Sequence, residues 1–227
     1  MKKAKEKKLV IFDFDGVIWD SVAVHSLAYR RVFKFFGKNY PPENNAGFRK
    51  WYDSRWENNY FKSGFSKKEM RRAEGKYWEF FDYGKSKPFK GIGRVLEKFR
   101  SEGFVLSIVS TTPDGSIRKC LRKAGLEKHF KLIIGGKKKS SKVEEIAFVL
   151  KKLGVKKQNA VMVGDTPADI EGAKANGLKN IGVAFGWSPE SRIRKAKPGA
   201  IAKKPREITA LLKKNHGRVK KPFLEGL

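Results

Sequence analysis

The stretch VIFDFDGVIWDS, residues 10–21, places an apolar run directly before two aspartates, Asp13 and Asp15. Residues 8–12 are apolar on both faces of a predicted strand, which is typical of a central strand in a parallel sheet. The two carboxylates therefore mark the point where a buried strand ends.

Other parts of the chain repeat the apolar run. Between these runs lie helical patterns, and strands that alternate with helices predict an α/β fold with a doubly wound parallel sheet. The further predicted strands are FVLSIVS (104–110), KLIIGG (131–136), AVMVGD (160–165) and NIGVAFG (180–186), and the predicted helices between them cover 92–101, 116–125, 142–153 and 168–176.

Residues 20–88 break this alternation. They contain all six tyrosines of the chain, and their aromatic residues recur at three- and four-residue spacing, as in amphipathic helices. We expect a separate helical module, inserted after the first strand. The predicted division is a catalytic core of residues 1–19 and 89–227 and a helical cap of residues 20–88. No strand is predicted within the cap.

Composition narrows the class of protein. The chain has 227 residues, a formal net charge of +29 and one cysteine, Cys120, so it can form no internal disulfide and an intracellular setting is favoured. The apolar run after the basic N-terminus is too short for a signal peptide, and no run approaches the ~18 residues of a membrane span. We predict a soluble cytoplasmic protein. The charge favours non-specific attraction to nucleic acid.

Polar side chains follow three of the predicted strands. Asp13 and Asp15 follow the first strand, and Asp165 follows the fourth, with Asp169 four residues further on. The second strand ends in three hydroxyl residues, Ser110, Thr111 and Thr112. A lysine cluster, 137–139 and 142, follows the third strand. Ligands of open α/β sheets bind outside the carboxyl ends of the strands, so these groups should converge at one edge.

Such a set favours phosphoryl chemistry. Several carboxylates brought together repel one another, and a divalent cation such as Mg²⁺ relieves the repulsion. A metal beside a hydroxyl and an ammonium suits a phosphoryl group. One carboxylate is then free to attack phosphorus and form an aspartyl phosphate.

Four motifs resemble those of the haloacid dehalogenase (HAD) superfamily, and they occur in the family's order. They are DFDGVIWDS, the hydroxyl after VLSIV, a lysine before VEEIAFVLKKLGV, and VGDTPADIEGAKANG. The resemblance covers the chain from Leu9 to about Leu212, and GVAFGWSPES is similar to the phosphoglycolate-phosphatase-like branch. The resemblance implies a Rossmann-like core with a helical cap inserted after the first motif.

The resemblance also implies a role for each matching residue. Asp13 is the expected nucleophile and Asp15 the expected general acid and base. The expected phosphate-binding residues are Ser110, Thr111 and Lys142. The expected Mg²⁺ ligands are Asp13, Asp15 through its backbone carbonyl, Asp165 and Asp169.

The third motif departs from the usual form because no proline follows its lysine. Lys142 is preferred, since Ser141 and Glu144 form a predicted capping box that would put Lys142 at a helix N-terminus. Lys139 remains the alternative.

The motifs leave more than one function open. An alkoxide leaving group needs a proton and a halide does not, so Asp15 favours hydrolysis of a small phosphorylated metabolite over dehalogenation. A phosphosugar mutase shares all four motifs. A nucleic-acid-associated HAD protein is the alternative that the charge suggests.

Overall fold

The computed structural model describes residues 6–136 and 140–216, with side chains up to Leu212. Lys139, the alternative phosphate-binding lysine, lies outside the described residues. So do residues 217–227.

The core is a parallel sheet flanked by helices, as predicted. Six strands follow the spatial order β5-β4-β1-β6-β7-β8, and each neighbouring pair is parallel. A two-stranded antiparallel ribbon, β2 and β3, lies outside this sheet. The strands are β1 (Lys8–Phe12), β2 (Trp19–Asp20), β3 (Lys87–Pro88), β4 (Phe104–Ser110), β5 (Leu132–Gly135), β6 (Ala160–Gly164), β7 (Lys179–Val183) and β8 (Ala200–Ala202).

The described helices fall into two groups. Four of them precede residue 88, where the cap is predicted, and the others alternate with the strands of the sheet. In chain order they are α1 (Val22–Phe35), α2 (Asn45–Trp51), α3 (Trp56–Phe61), α4 (Lys67–Phe80), α5 (Ile92–Ser101), α6 (Asp114–Lys123), α7 (Lys142–Leu153), α8 (Pro167–Ala175), α9 (Glu190–Lys195) and α10 (Pro205–His216).

Alternate side chains of β1 enter two different cores. Val10 and Phe12 belong to one buried cluster, and Leu9 and Ile11 belong to the other. Fully burying such a side chain contributes roughly 1.5–3 kcal/mol. This burial on both sides explains why residues 9–12 are all apolar, and it fixes where Asp13 emerges.

The helices before residue 88 surround a third cluster, which is aromatic. Tyr29 of α1 lies at its centre, and the rings in contact with Tyr29 come from four segments of the chain. These rings are Phe33, Phe48, Trp51, Tyr52, Tyr60 and Tyr77. Aromatic pairs at such spacings add to the stability that burial provides.

The ribbon joins this helical module to the core. Trp19 pairs with Pro88 and Asp20 with Lys87, so the chain enters and leaves the module side by side. The expectation of no strand in residues 20–88 was therefore wrong at the two ends of that range. Two-residue strands are too short to show a period. The boundaries of the cap remain a prediction.

Two further elements were not predicted. Strand β8 has three residues, two of them alanine, and α9 has six residues, so both are too short for a periodic signal. No helix within the described ranges, 6–136 and 140–216, is both long enough and apolar enough to span a membrane.

Candidate active site

The ends of β1, β4 and β6 form one edge of the sheet. Phe12 of β1 is in register with Ile108 on one side and with Val163 on the other. The backbone N–H of Asp13 donates to the carbonyl of Val163 over 2.9 Å, so Asp13 extends the strand by one residue. The side chains that follow these strands therefore meet, as parallel alignment predicts.

Three buried carboxylates converge here. One oxygen each from Asp13, Asp165 and Asp169 lies within 4.8 Å of the others. Their exposed fractions are 8%, 1% and 0%. Burial raises the pKa of Asp13, Lys142 lowers it and Asp169 raises it, and together these effects bring the pKa to about 7. Burial, with Asp13 and Asp169, also raises the pKa of Asp165.

Lys142 is the cation of this cluster. Its Nζ lies 3.2 Å from Oδ2 of Asp13 and 2.9 Å from Oδ1 of Asp169, and it donates to the carbonyl of Val109 over 2.9 Å. Burial alone would lower the pKa of Lys142, but the two carboxylates raise it above its ordinary value. The amine is therefore an ammonium held between two anions.

The start of α7 places Lys142. Ser141 is the N-cap, its hydroxyl accepts from the N–H of Glu144, and the Glu144 carboxylate accepts from the N–H of Ser141. This capping box forms at the residues where it was predicted. It makes Lys142 the first residue of the helix, next to the ends of β1 and β4.

A similar cap fixes Asp169 at the start of α8. Its Oδ2 accepts from the N–H and the hydroxyl of Thr166 over 3.0 and 2.7 Å. Asp165 is held from another side, because its Oδ2 accepts from the N–H of Trp187 over 2.5 Å. Gly16 has φ +78°, and a Cβ there would lie 2.0 Å from Oδ2 of Asp165. The loop after Asp15 can approach Asp165 this closely because residue 16 is glycine.

These residues fit a divalent cation. Oδ1 of Asp165 is buried and has no hydrogen-bond partner among the described residues. Three ionised carboxylates and one ammonium leave a net charge of about −2, which a hard cation with oxygen ligands would neutralise. Asp13, Asp165 and Asp169 are the side chains that could hold Mg²⁺.

Asp15 stands apart from this cluster. Its Oδ2 accepts from the hydroxyl of Thr112 over 2.5 Å and from the phenol of Tyr83 over 2.8 Å. Its Oδ1 lies 3.7 Å from Nε2 of His25. Burial would raise the pKa of Asp15, but His25, Ser21 and Thr112 together lower it. The two aspartates of the first motif thus occupy different environments.

The hydroxyl side chains of the second motif differ in their exposure to solvent. Ser110 is buried, and its Oγ accepts from the N–H of Thr112 over 3.3 Å. The side chain of Thr111 is exposed. Thr112, which was assigned no role from the sequence, is the threonine in contact with Asp15. The roles of Ser110 and Thr111 in phosphate binding remain predictions.

His25, Tyr83 and Trp187 also went unrecognised in the sequence. One signal for His25 was available, namely its spacing. It lies four residues after Ser21, the N-cap of α1, and is on the buried face of that helix. Trp187 lies in the GVAFGWSPES stretch that carries part of the family resemblance, but no role was predicted for it. Tyr83 had no signal, since nothing distinguishes it from the other tyrosines. Trp187 follows β7, packs on His25 with ring centroids 4.3 Å apart, and donates to Ser21 over 3.3 Å.

A cavity of about 390 Å³ lies beside this site. It lies between the loop after α2 and the segments that begin at Thr166 and at Trp187. Its lining includes Tyr52 and Lys62 from the helical module and Thr166, Ser188 and Arg192 from the core. Space for a small ligand therefore exists where the two parts meet.

Comparison with known proteins gives a family. The family model described as haloacid dehalogenase-like hydrolase matches residues 10–183. A phosphorylated carbohydrates phosphatase of Thermotoga maritima is 30% identical, over 90% of this chain and 97% of that protein. A phosphoglycolate phosphatase of Aquifex aeolicus is 28% identical, over 90% and 96%.

Other relatives agree on the fold and differ in named activity. The tyrosine-protein kinase PtkA of Mycobacterium tuberculosis is 28% identical over 83% of this chain, which spans 66% of that protein, slightly less than two thirds. The crystal structure of a putative phosphatase from Clostridium difficile has a TM-score of 0.78 at 25% identity, covering 92% of this chain and 100% of that one.

The family model spans most of the chain and includes the segments that carry all four motifs. The predicted fold and family are confirmed, and phosphatases are among the named relatives. The chain belongs to the haloacid dehalogenase-like hydrolases.

Proposed function

We propose that this protein is a Mg²⁺-dependent phosphatase that hydrolyses a small phosphate monoester through an aspartyl phosphate on Asp13. The observation that carries the proposal is the buried cluster in which Lys142 lies 3.2 Å from Asp13 and 2.9 Å from Asp169, with Asp165 beside them. The phosphatases among the relatives support it.

In the first step a carboxylate oxygen of Asp13 attacks phosphorus, and the bond to the ester oxygen breaks. Asp15 gives that leaving oxygen a proton. In the second step Asp15 takes a proton from water as the water oxygen attacks phosphorus, and the bond to Asp13 breaks. Each carboxyl group ends the cycle as it began.

The remaining residues hold charge. Lys142, Ser110 and Thr111 are the proposed phosphoryl-binding groups. Asp13, Asp165 and Asp169, with the carbonyl of Asp15, would hold Mg²⁺, which when bound neutralises the carboxylates and the phosphoryl oxygens.

The different environments of the two aspartates suit these roles. A nucleophile must be ionised, and Lys142 favours that form of Asp13. An acid must carry a proton, whereas the pKa of Asp15 is lowered when no substrate is bound. A phosphate dianion arriving beside Asp15 would raise that pKa by like-charge repulsion. Substrate binding would thus favour the protonated form of Asp15, which is the form that acts as the acid.

The substrate would be enclosed between the core, residues 1–19 and 89–227, and a cap of residues 20–88. The side-by-side linkers at Trp19 and Pro88 support a cap that moves as one body. Cys120 is buried and free, which suits the reducing cytoplasm that we propose as the setting.

A screen of phosphate esters with Mg²⁺ tests the proposal. Asp13→Asn is the blank, and Asp20→Asn is the matched control because Asp20 is exposed in the ribbon. With a substrate made chiral at phosphorus by oxygen isotopes, two successive displacements at phosphorus should release phosphate with its configuration retained. Inversion of configuration, which a single direct displacement by water gives, would exclude the covalent route.

The alternatives remain predictions. A phosphosugar mutase would return the phosphoryl group to a second position of the sugar, so the screen should separate free phosphate from isomerised ester. The comparisons lend no support to nucleic-acid binding. It is tested by comparing turnover of small esters with turnover of phosphorylated oligonucleotides.

A further inference from the structure

The two oxygens of the Asp15 carboxylate have different surroundings. Oδ2 accepts from the hydroxyl of Thr112 over 2.5 Å and from the phenol of Tyr83 over 2.8 Å. Oδ1 has no hydrogen-bond partner in the part of the chain that the structure describes, and His25 Nε2 approaches it to 3.7 Å. Oδ2 is therefore anchored by two hydrogen bonds, whereas Oδ1 is buried beside His25 and accepts none from the described residues.

The anchoring phenol is itself held in place. Tyr83 lies in the segment that leads back from the helical module to the core, and its carbonyl accepts from the hydroxyl of Ser86 over 2.9 Å. That hydroxyl in turn accepts from the indole N–H of Trp19 in the ribbon over 2.7 Å. The Tyr83 ring packs edge-on against Phe14 and Phe81, with centroids 6.0 and 4.5 Å away.

Tyr83 also remains a hydrogen-bond donor. Its hydroxyl donates to Oδ2 of Asp15 over 2.8 Å. A phenol beside a carboxylate donates its proton in a charge-assisted hydrogen bond. The position of Tyr83 and this hydrogen bond therefore fix Oδ2.

We propose that Tyr83 is a positioning residue which, with Thr112, anchors Oδ2 of Asp15 so that Oδ1 is the oxygen that transfers the proton. The inference rests on the proposed phosphatase function. As the bond between phosphorus and the ester oxygen breaks, the proton on Oδ1 passes to that oxygen. In the second step Oδ1 takes a proton from the attacking water.

The dependence of the rate on the leaving group distinguishes a positioning role of Tyr83 from a purely structural one. An alkoxide needs the proton from Asp15 as it departs, whereas 4-nitrophenolate is stable without one. Loss of the anchor should therefore slow alkyl phosphates and leave 4-nitrophenyl phosphate nearly unchanged. The quantity to compare is kcat/KM, which reports the steps up to departure of the leaving group.

The experiment uses Tyr83→Phe in the full chain. We expect kcat/KM to fall about tenfold for alkyl phosphates and less than about twofold for 4-nitrophenyl phosphate. Thr112→Val should show the same pattern, and Thr112→Ser should restore the wild-type dependence. Tyr40→Phe is the matched control, because it removes a phenol that lies 2.9 Å from Ser26 and makes no contact with Asp15.

A double variant completes the test. In an Asp15→Asn background, Tyr83→Phe should have no further effect on the leaving-group dependence, since the group that it positions is gone. An equal loss on all esters from Tyr83→Phe, or an undiminished effect in the Asp15→Asn background, would overturn the inference while the phosphatase function stands. A wild-type protein that hydrolyses no ester would overturn both.

Discussion

The sheet edge and the aromatic module stabilise themselves in opposite ways. At the edge, three carboxylates and Lys142 are buried within a few ångströms, and each depends on the charge of the others. In the module, the rings around Tyr29 overlap in a network of contacts in which each ring has several neighbours. The edge depends on a few exact positions, whereas the module has redundant contacts.

This difference predicts how each region responds to substitution. Removing one charge at the edge leaves another charge buried and unpaired, which costs several kcal/mol. Removing one contact between the module and the core leaves the other contacts in place. The closed arrangement of the module should therefore become only slightly less favourable. The predictions that follow run from the edge to the module.

Lys142→Met should have the largest effect. It leaves Asp13 and Asp169 without their cation, so kcat/KM should fall by about 10²–10³-fold, the range for loss of one group that stabilises developing charge. At pH 8 without metal the free energy of unfolding should fall by about 3 kcal/mol. Chemical denaturation and steady-state kinetics measure the two effects.

Lys152→Met is the control for Lys142→Met, because Lys152 is exposed on the same helix. It should leave both quantities unchanged. A Lys142→Met protein as stable and as active as the wild type would mean that the edge does not depend on its charges, and the contrast with the module would be lost.

Mg²⁺ affinity sharpens the contrast between Asp165 and Asp15. Asp165 has a buried oxygen with no hydrogen-bond partner among the described residues, and Asp15 directs its side chain to Thr112 and Tyr83. Asp165→Asn should therefore weaken Mg²⁺ binding by about tenfold or more, and Asp15→Asn should weaken it less. Isothermal titration calorimetry compares the two, and equal losses would contradict the assignment.

The stability of the metal-free protein should depend on pH through Asp13. Folding raises the pKa of this carboxyl from 3.8 to about 7. Between those values the folded state binds more protons than the unfolded state, so the stabilising contribution of protonated Asp13 is lost as pH rises from about 4 to about 7. Mg²⁺ should oppose this loss, because it binds the ionised form.

Thermal melts in EDTA and in Mg²⁺ between pH 4.5 and 7.5 measure this dependence. The midpoint in EDTA should fall relative to that in Mg²⁺ by about 3 °C or more across the range. Asp13→Asn, which cannot titrate at this position, should make the EDTA curve shallower, and the remaining slope would come from Asp165, whose pKa is also raised. A wild-type curve as flat as that of Asp13→Asn would show that burial does not control the titration of Asp13.

The edge could be predicted from the sequence because its chemistry is local. Asp13 and Asp165 directly follow apolar strands, and parallel alignment alone brings such residues together. The capping box of Ser141 and Glu144 placed Lys142 before any contact was known. These signals extend over a few residues, so one sequence was enough to choose Lys142 as a member of the cluster.

The partners of Asp15 could not be predicted in this way. Tyr83 lies 68 residues from Asp15 along the chain, and Thr112 lies 97 residues from it. Their contacts arise when the linker folds back along the ribbon and the second strand ends beside the first. Composition indicated an aromatic module, but it could not show which phenol faces the carboxylate.

The smallest effect is expected where the module meets the core. Arg192 of α9 donates to the carbonyl of Tyr52 over 2.8 Å and to that of Lys50 over 3.2 Å. Both carbonyls lie at the C-terminal end of α2, where a guanidinium is favourable. These hydrogen bonds hold the module against the core, and together they contribute about 1 kcal/mol because Arg192 is partly exposed.

Arg192→Met should therefore raise KM by about two- to fivefold and leave kcat nearly unchanged, because it disfavours the closed arrangement before substrate binds. Arg194→Met is the control, since Arg194 is on the same helix and pairs with Glu190. Amide exchange in α2 should become faster in Arg192→Met and stay the same in Arg194→Met. A tenfold loss of kcat in Arg192→Met would show that a single side chain between the module and the core controls the chemical step. The contacts between the module and the core would then not be redundant.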